Sequence, residues 1–247
     1  MFSVIICVTD KNGYLLPLTL DSVLAQVHEP FEILVIDGQR SSHPQLYERM
    51  IPANTTDLFG MMNQGAHLAK GSFLHFLMPG EFYLSHHALT FMKEFIESEE
   101  RYDLIFTGCI IRHSLAHPQL LFKKLGVQDL KAGKLPSSLQ AFWFSKKAFL
   151  KLNGFNADYE VQGGFDLICR FYLDQHLKKG FMPRVLTDYT YRKLPPKKII
   201  KQFLETLDII HCRFGFSKML LWWMAQNPLR LVQWWLKSIK IAFWKGK

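Results

Sequence analysis

Four residues combine a ligating or reactive side chain with a position where ligands gather. Asp37 closes the apolar run at residues 31–38 (FEILVIDG) and is followed by a turn-forming glycine. In open α/β sheets the carboxyl ends of the strands face the ligand crevice. Asp37 therefore either binds a ligand there or caps its own turn. Glu81 ends the Pro79-Gly80-Glu81 turn after a second apolar run, residues 72–78 (SFLHFLM), and is either a ligand or a solvated loop acid. Asp166 falls in the first turn of a helix predicted over 164–173, where the helix dipole favours a carboxylate whether or not it reacts. Asn63 lies on a helix predicted over 57–71. The histidines do not form a metal site. His75 alternates within a strand, and the adjacent His86 and His87 point two ways on a helix.

The elements that must position these residues read from hydrophobic period. Residues 3–8 (SVIICV) and 33–36 are apolar without alternation, the pattern of strands buried on both faces. Between them, Leu20, Val23, Leu24 and Val27 have amphipathic helical spacing. Strand, helix and strand in this order make a βαβ unit with parallel pairing and a right-handed crossover. Residues 39–56 are polar and turn-rich, with a short helix around 45–50. Met61, Met62, Ala66, Leu68 and Ala69 give the next helix, which Gly71 stops. A strand over 72–78, a helix over 84–98 and a strand over 103–111 (DLIFTGCII) follow. Residues 112–137 read as irregular and basic. A short strand (141–144), a helix (146–152) ended by Asn153-Gly154, the helix carrying Asp166 and a last strand (181–190) complete the pattern.

At 247 residues the chain suits one large α/β domain with an appendage. A hydrophobic share of 49% and a mean hydropathy of +0.01 mark a globular protein at the apolar end of the range. The four cysteines, Cys7, Cys109, Cys169 and Cys212, are far apart with no CxxC pair, as expected for reduced thiols in a cytosolic protein. No signal peptide is expected, since Met1-Phe2 runs straight into the first strand. The net charge of +9 is uneven: residues 209–247 hold seven Lys or Arg, no acid, and five of the six Trp. Pro228 suits the first turn of a helix reaching about residue 244. On it Arg230, Gln233, Lys237 and Lys240 form a polar stripe beside Leu229, Val232, Trp235, Leu236, Ile239 and Phe243. Upstream, residues 219–225 (MLLWWMA) are far short of the roughly 20 a spanning helix needs. The pattern predicts peripheral contact of residues 216–247 with an anionic membrane surface. The alternative is a helical hairpin closing over the domain's own core. Nucleic acid is not an expected partner, because the basic residues are interleaved with too much apolar surface.

Over residues 3–190 the order of motifs resembles the family-2-like glycosyltransferases of the GT-A fold. SVIICVT matches the opening strand, and TLDSVLAQ followed by FEILVIDG matches the helix and nucleotide-binding strand. MNQGAHLAKGSFLHFL matches the next helix and strand, and SLQAFWFSKKAFLKLNGFNADYEVQGGFDLICRF the acceptor-side block. The resemblance implies a GT-A-like α/β domain over 1–195, with a mixed, mostly parallel sheet flanked by helices, and a helical tail over 196–247. It implies sugar transfer from a UDP- or GDP-linked nucleotide-diphospho-sugar to a lipid-linked or cell-envelope glycan acceptor, assisted by Mn²⁺ or Mg²⁺. On it, Asp37 and Asn63 would bind the donor, Glu81 a metal, and Asp166 would act as base. The protein would work in the cytoplasm, on the inner face of the membrane.

The sequence departs from that family where the chemistry is done. The family's acidic metal motif falls on Met78, Pro79, Gly80 and Glu81, of which only Glu81 has a hard oxygen ligand for a cation on a diphosphate. The general-base position falls on Gly163 and Gly164, and glycine takes no proton. Gly60, Cys109 and Leu139 replace three further polar residues of the family. The alternative is therefore a catalytically inactive pseudo-glycosyltransferase, a binding or scaffolding module at the membrane.

Overall fold

All seven residues of the first strand, β1 (Phe2–Val8), are buried, so it can only be central. The computed structural model describes residues 1–9, 13–28, 30–38, 50–98, 101–112, 118–135, 138–190 and 194–226. The other strands, in chain order, are β2 (Phe31–Asp37), β3 (Met50–Pro52), β4 (Phe73–Leu77), β5 (Phe82–Tyr83), β6 (Leu104–Arg112), β7 (Pro118–Leu121), β8 (Phe142–Ser145) and β9 (Lys179–Thr190). They form one sheet in the order β3-β2-β1-β4-β8-β6-β9-β5, with β7 paired to β6. The β3-β2-β1-β4 half is parallel, as the βαβ pattern requires. In the other half β8 runs antiparallel to β4 and β6, and β9 parallel to β6.

The helices are α1 (Leu16–Leu24), α2 (Leu58–Leu68), α3 (Ala88–Ser98), α4 (Val127–Lys131), α5 (Lys146–Lys151), α6 (Gly163–Leu173), α7 (Pro196–Phe214) and α8 (Phe216–Ala225). Strand alternation sends Ile5 and Cys7 to one face of the sheet and Val4 and Ile6 to the other. The first face packs Met61 and Met62 of α2, Phe149 of α5 and Phe171 of α6. The second packs Leu20 and Val23 of α1 and Leu89 and Met92 of α3. Gly65 lets α2 lie close to the sheet, since a Cβ there would stand 2.5 Å from Ile5 Cγ2. Asp57 caps the same helix by accepting the Gly60 N–H at 2.6 Å.

Several expectations are corrected. Residues 112–137 are not simply irregular: β7 pairs antiparallel with β6, and α4 follows. The exposed β7 has no buried face to impose a period on its sequence. The helix expected from residue 84 begins at Ala88, because β5 takes Phe82 and Tyr83 onto β9. Of the short helix expected around 45–50, only Met50 is described, and it is in β3. The boundary expected at residue 195 falls at the start of α7, yet Ile209 and Ile210 of that helix are fully buried in the domain's core. The tail helix expected from Pro228 lies outside the described residues.

Candidate functional site

The chain leaves β1 through α1 to reach β2 on one side, and returns through α2 to β4 on the other. A sheet that changes direction in this way opens a crevice at the carboxyl ends of its strands. Asp37 ends β2 at that crevice and is 7% exposed. Its carbonyl accepts the Ala53 N–H at 2.9 Å, and the Gly38 N–H donates to the Val8 carbonyl at 3.0 Å. These bonds fix the rim on which Asp37 stands.

Across the switch point, β4 ends in Met78-Pro79-Gly80-Glu81. Glu81 is 4% exposed rather than solvated. Its Oε2 accepts the Met78 N–H at 2.7 Å, and its Oε1 accepts Gln140 Nε2 at 2.8 Å. The Glu81 N–H donates to the Met78 carbonyl at 2.9 Å, and Thr19 Oγ1 accepts the Gly80 N–H at 2.9 Å. The turn is thus closed on itself. Gln140 is held from a second side by His75, whose Nε2 lies 2.8 Å from the Gln140 carbonyl and whose Nδ1 lies 2.7 Å from Tyr83 Oη. Burial lowers the His75 pKa to about 3, so the ring is neutral. A carbonyl can only accept, so Nε2–H donates to it and Nδ1 accepts the Tyr83 hydroxyl proton. Trp143 stacks on His75 at 3.8 Å.

Asp166 is fully buried, with a guanidinium on each oxygen. Arg170 Nε meets Oδ2 at 2.8 Å, and Arg213 Nε meets Oδ1 at 2.9 Å. Arg170 also donates to the carbonyls of Leu152 and Gly154. Asp166 therefore ties α6 to α7 and to the turn before α6. Asn63 serves that same turn, where Asn153 and Gly154 are both left-handed (φ 61° and 62°). Its Nδ2 donates to the Phe155 carbonyl at 2.8 Å, and its Oδ1 accepts the Phe155 N–H at 2.9 Å.

A cleft of about 560 Å³ is lined by residues of α2, α6 and the segments around them. Phe59 and Met62 of α2 form one wall, and Gly164 and Phe165 of α6 another. Met78, Leu139 and Gln140 lie along it, and Tyr189, Lys198 and Gln202 close the far side. Asp37, Asn63, Glu81 and Asp166 do not line it. A larger hollow of about 740 Å³ lies beside β2 and β3, with Pro30 and Phe31 at the amino end of β2 on its wall, away from the switch point. The positions where the resemblance places a base are filled by their neighbours. A Cβ on Gly163 would stand 2.7 Å from the Phe59 ring, and one on Gly164 would stand 3.3 Å from Leu139.

The residues do not fit a divalent cation. Both Glu81 oxygens are engaged, Met78 and Gly80 offer no hard side-chain oxygen, and no group of three His, Cys, Asp or Glu among the described residues could hold a metal.

Residue types and spacing did not reveal the roles of Gln140, Arg170, Arg213 or Glu205. Glu205 of α7 accepts the N–H groups of Glu160, Val161 and Gln162 at 2.8–2.9 Å, which fixes the loop on the cleft wall ahead of α6. Gln140, Arg213 and Glu205 depend on partners distant in sequence. Arg170 pairs with Asp166 four residues earlier on α6, a spacing that could have revealed it.

No family model matches the chain. It is 28% identical over 223 residues to the PGL/p-HBAD biosynthesis glycosyltransferases of Mycobacterium bovis and Mycobacterium tuberculosis, covering 85% of this chain and 84% of theirs. Among solved structures, S. aureus TarS 1–349 superposes with a TM-score of 0.67 at 15% identity over 86% of this chain. The chain spans 64% of that fragment's length. TarS 1–349 in complex with UDP-GlcNAc gives the same TM-score at 16% identity, over 86% of this chain and 66% of that one. The mannosyltransferase PcManGT of Pyrobaculum calidifontis, in complex with GDP-Man and Mn²⁺, superposes with a TM-score of 0.58 at 12% identity, over 97% of this chain and 80% of that one. The fold is that of GT-A-like transferases.

Proposed function

We propose that this chain, a GT-A-like glycosyltransferase, moves a sugar from a nucleotide-diphospho-sugar to a cell-envelope glycan or lipid-linked acceptor. The observation that carries this is its likeness, over 85% of its own length and 84% of theirs, to mycobacterial biosynthetic glycosyltransferases. The neighbours' complexes with UDP-GlcNAc and with GDP-Man support a UDP- or GDP-linked donor. In this reading the donor lies at the switch point, and Asp37 accepts hydrogen bonds from the nucleoside. Asn63 acts at one remove, by bracing the Asn153-Gly154-Phe155 turn. The mostly apolar cleft excludes water, which would otherwise compete with the acceptor for the sugar. Because the Met78–Glu81 turn lacks a metal-ligand set, no step is assigned to a cation. Asp166 stands between two arginines and is assigned a positioning role.

The protein also rests on an anionic membrane surface, the inner face of the cytoplasmic membrane, through α8 and the basic residues after it. Supporting this, α8 exposes Phe216 (63%), Leu221 (55%), Trp223 (52%) and Met224 (58%) beside Lys218. No helix among the described residues is long and apolar enough to cross a membrane. Calorimetric titration with UDP and GDP tests the donor assignment. Saturable binding of either is expected, and absence of both would leave a transferase-derived scaffold.

A further inference from the structure

Helix α8 is joined to the segment that carries β7 and α4. Trp222 Nε1 donates to the Ala132 carbonyl at 3.1 Å. Gly133, left-handed at φ 66°, leaves room for the indole, since a Cβ there would run into Trp222 Nε1. On its other side Trp222 packs against Phe203 of α7, with ring centroids 5.2 Å apart. The segment beneath it, residues 118–135, carries Lys123, Lys124, Lys131 and Lys134 against a single acid, Asp129. Bonds gather this charge at the foot of α8. Lys123 Nζ meets Asp129 Oδ1 at 2.7 Å, and the Asp129 carbonyl accepts the N–H groups of Ala132 at 3.1 Å and Lys134 at 2.9 Å. The segment also shows apolar side chains to solvent. Leu120 and Phe122 are exposed, whereas Leu121 between them lines the cleft.

We infer that residues 120–134 are a second membrane-contact surface, continuous with α8, whose partner is an anionic lipid bilayer. Leu120 and Phe122 enter the headgroup boundary, and Lys123, Lys124, Lys131 and Lys134 face the anionic headgroups. The inference rests on the membrane reading of α8 and extends it into the transferase domain itself. Two observations select the occupant. Four lysines against one acid complement a negative surface. Through Trp222 the segment also adjoins the exposed Leu221, Trp223 and Met224 of α8. Lysines interleaved with exposed apolar side chains suit the interfacial plane, where one kind meets headgroups and the other the acyl boundary. Two contacts rather than one fix how the domain is turned towards the lipid.

The test is co-sedimentation of the full chain with phosphatidylcholine vesicles, with and without phosphatidylserine. Lys124→Gln combined with Lys134→Gln should weaken binding to the anionic vesicles about tenfold. A control of equal charge change, Lys70→Gln combined with Lys93→Gln, should weaken it much less. Lys70 borders the hollow beside β2 and β3, at the far end of the sheet, and Lys93 lies on α3, on the sheet's other face. Hydrogen exchange of the unmodified chain should slow over 120–134 when anionic vesicles are added. Equal weakening by the two pairs, or exchange over 120–134 that vesicles leave unchanged, would overturn the inference. If either result comes while Trp223→Asp still reduces binding, the membrane reading of α8 stands and only the second surface falls. No binding of the unmodified chain to anionic vesicles sinks both. If the Lys124 and Lys134 pair does not fold, the exchange measurement decides.

Discussion

Asp166 is fully buried between two guanidinium groups. With Arg170 on one oxygen and Arg213 on the other, its carboxylate joins two helices at full burial. Removing one member of a buried ion cluster leaves the others uncompensated. Asp166→Asn should therefore lower unfolding stability by about 3 kcal/mol, measured by urea denaturation. Unchanged stability with lost turnover would instead make Asp166 the base. His75 gives a second expectation. Its pKa is about 6.5 unfolded and about 3 folded because of burial, so the unfolded chain binds the proton first. Stability should fall as pH drops from about 6.5 towards 3, by about 2 kcal/mol at pH 5 from this group. His28, also lowered by burial, adds the same sign, so the comparison of the unmodified protein with His75→Gln isolates the effect. Denaturant midpoints against pH would measure it, and a variant with an unchanged slope would contradict it. The position of Asp37 was legible because a strand-end acid is a local feature. The bonding of Glu81 was not, since its key partner Gln140 is 59 residues away.

At the scale of elements, legibility followed burial. The strands β1, β2 and β4 and the helices α1 and α2 are held by a two-sided core, so their apolar periods were visible. The pieces β3, β5 and β7 are two to four residues long and carry no period to read. The residues of α7 that fasten it to the domain, Glu205, Ile209, Ile210 and Arg213, show their purpose only beside their partners on α6 and the loop before it. Helix α8 is held on one side and open on the other: Trp222 donates to the Ala132 carbonyl at 3.1 Å, while Trp223 and Met224 are exposed. The full chain should co-sediment with vesicles containing phosphatidylserine and much less with phosphatidylcholine alone, and salt should weaken the binding. Trp223→Asp should reduce it severalfold. Sedimentation indifferent to lipid charge and to this substitution would refute the membrane assignment.

At the scale of the whole molecule, a GT-A-like framework surrounds a crevice whose polar groups are largely bonded to one another. The Met78–Glu81 turn closes on Gln140 and Thr19 instead of opening towards a cation, and Phe59 and Leu139 fill the space beside Gly163 and Gly164. The framework was visible in four motifs in order, because each is a packing requirement such as the close approach at Gly65. The bonding of the Met78–Glu81 turn was not visible, since partners drawn from distant segments leave no spacing to detect. The central claim is that the crevice still takes a nucleotide donor. The most direct measurement is calorimetric titration of the full chain with UDP and GDP, with Mn²⁺ and then with a chelator. The account predicts saturable binding of at least one nucleotide, little changed by the chelator and weakened at least tenfold by Asp37→Ala. Absence of binding for both nucleotides under both conditions would contradict it.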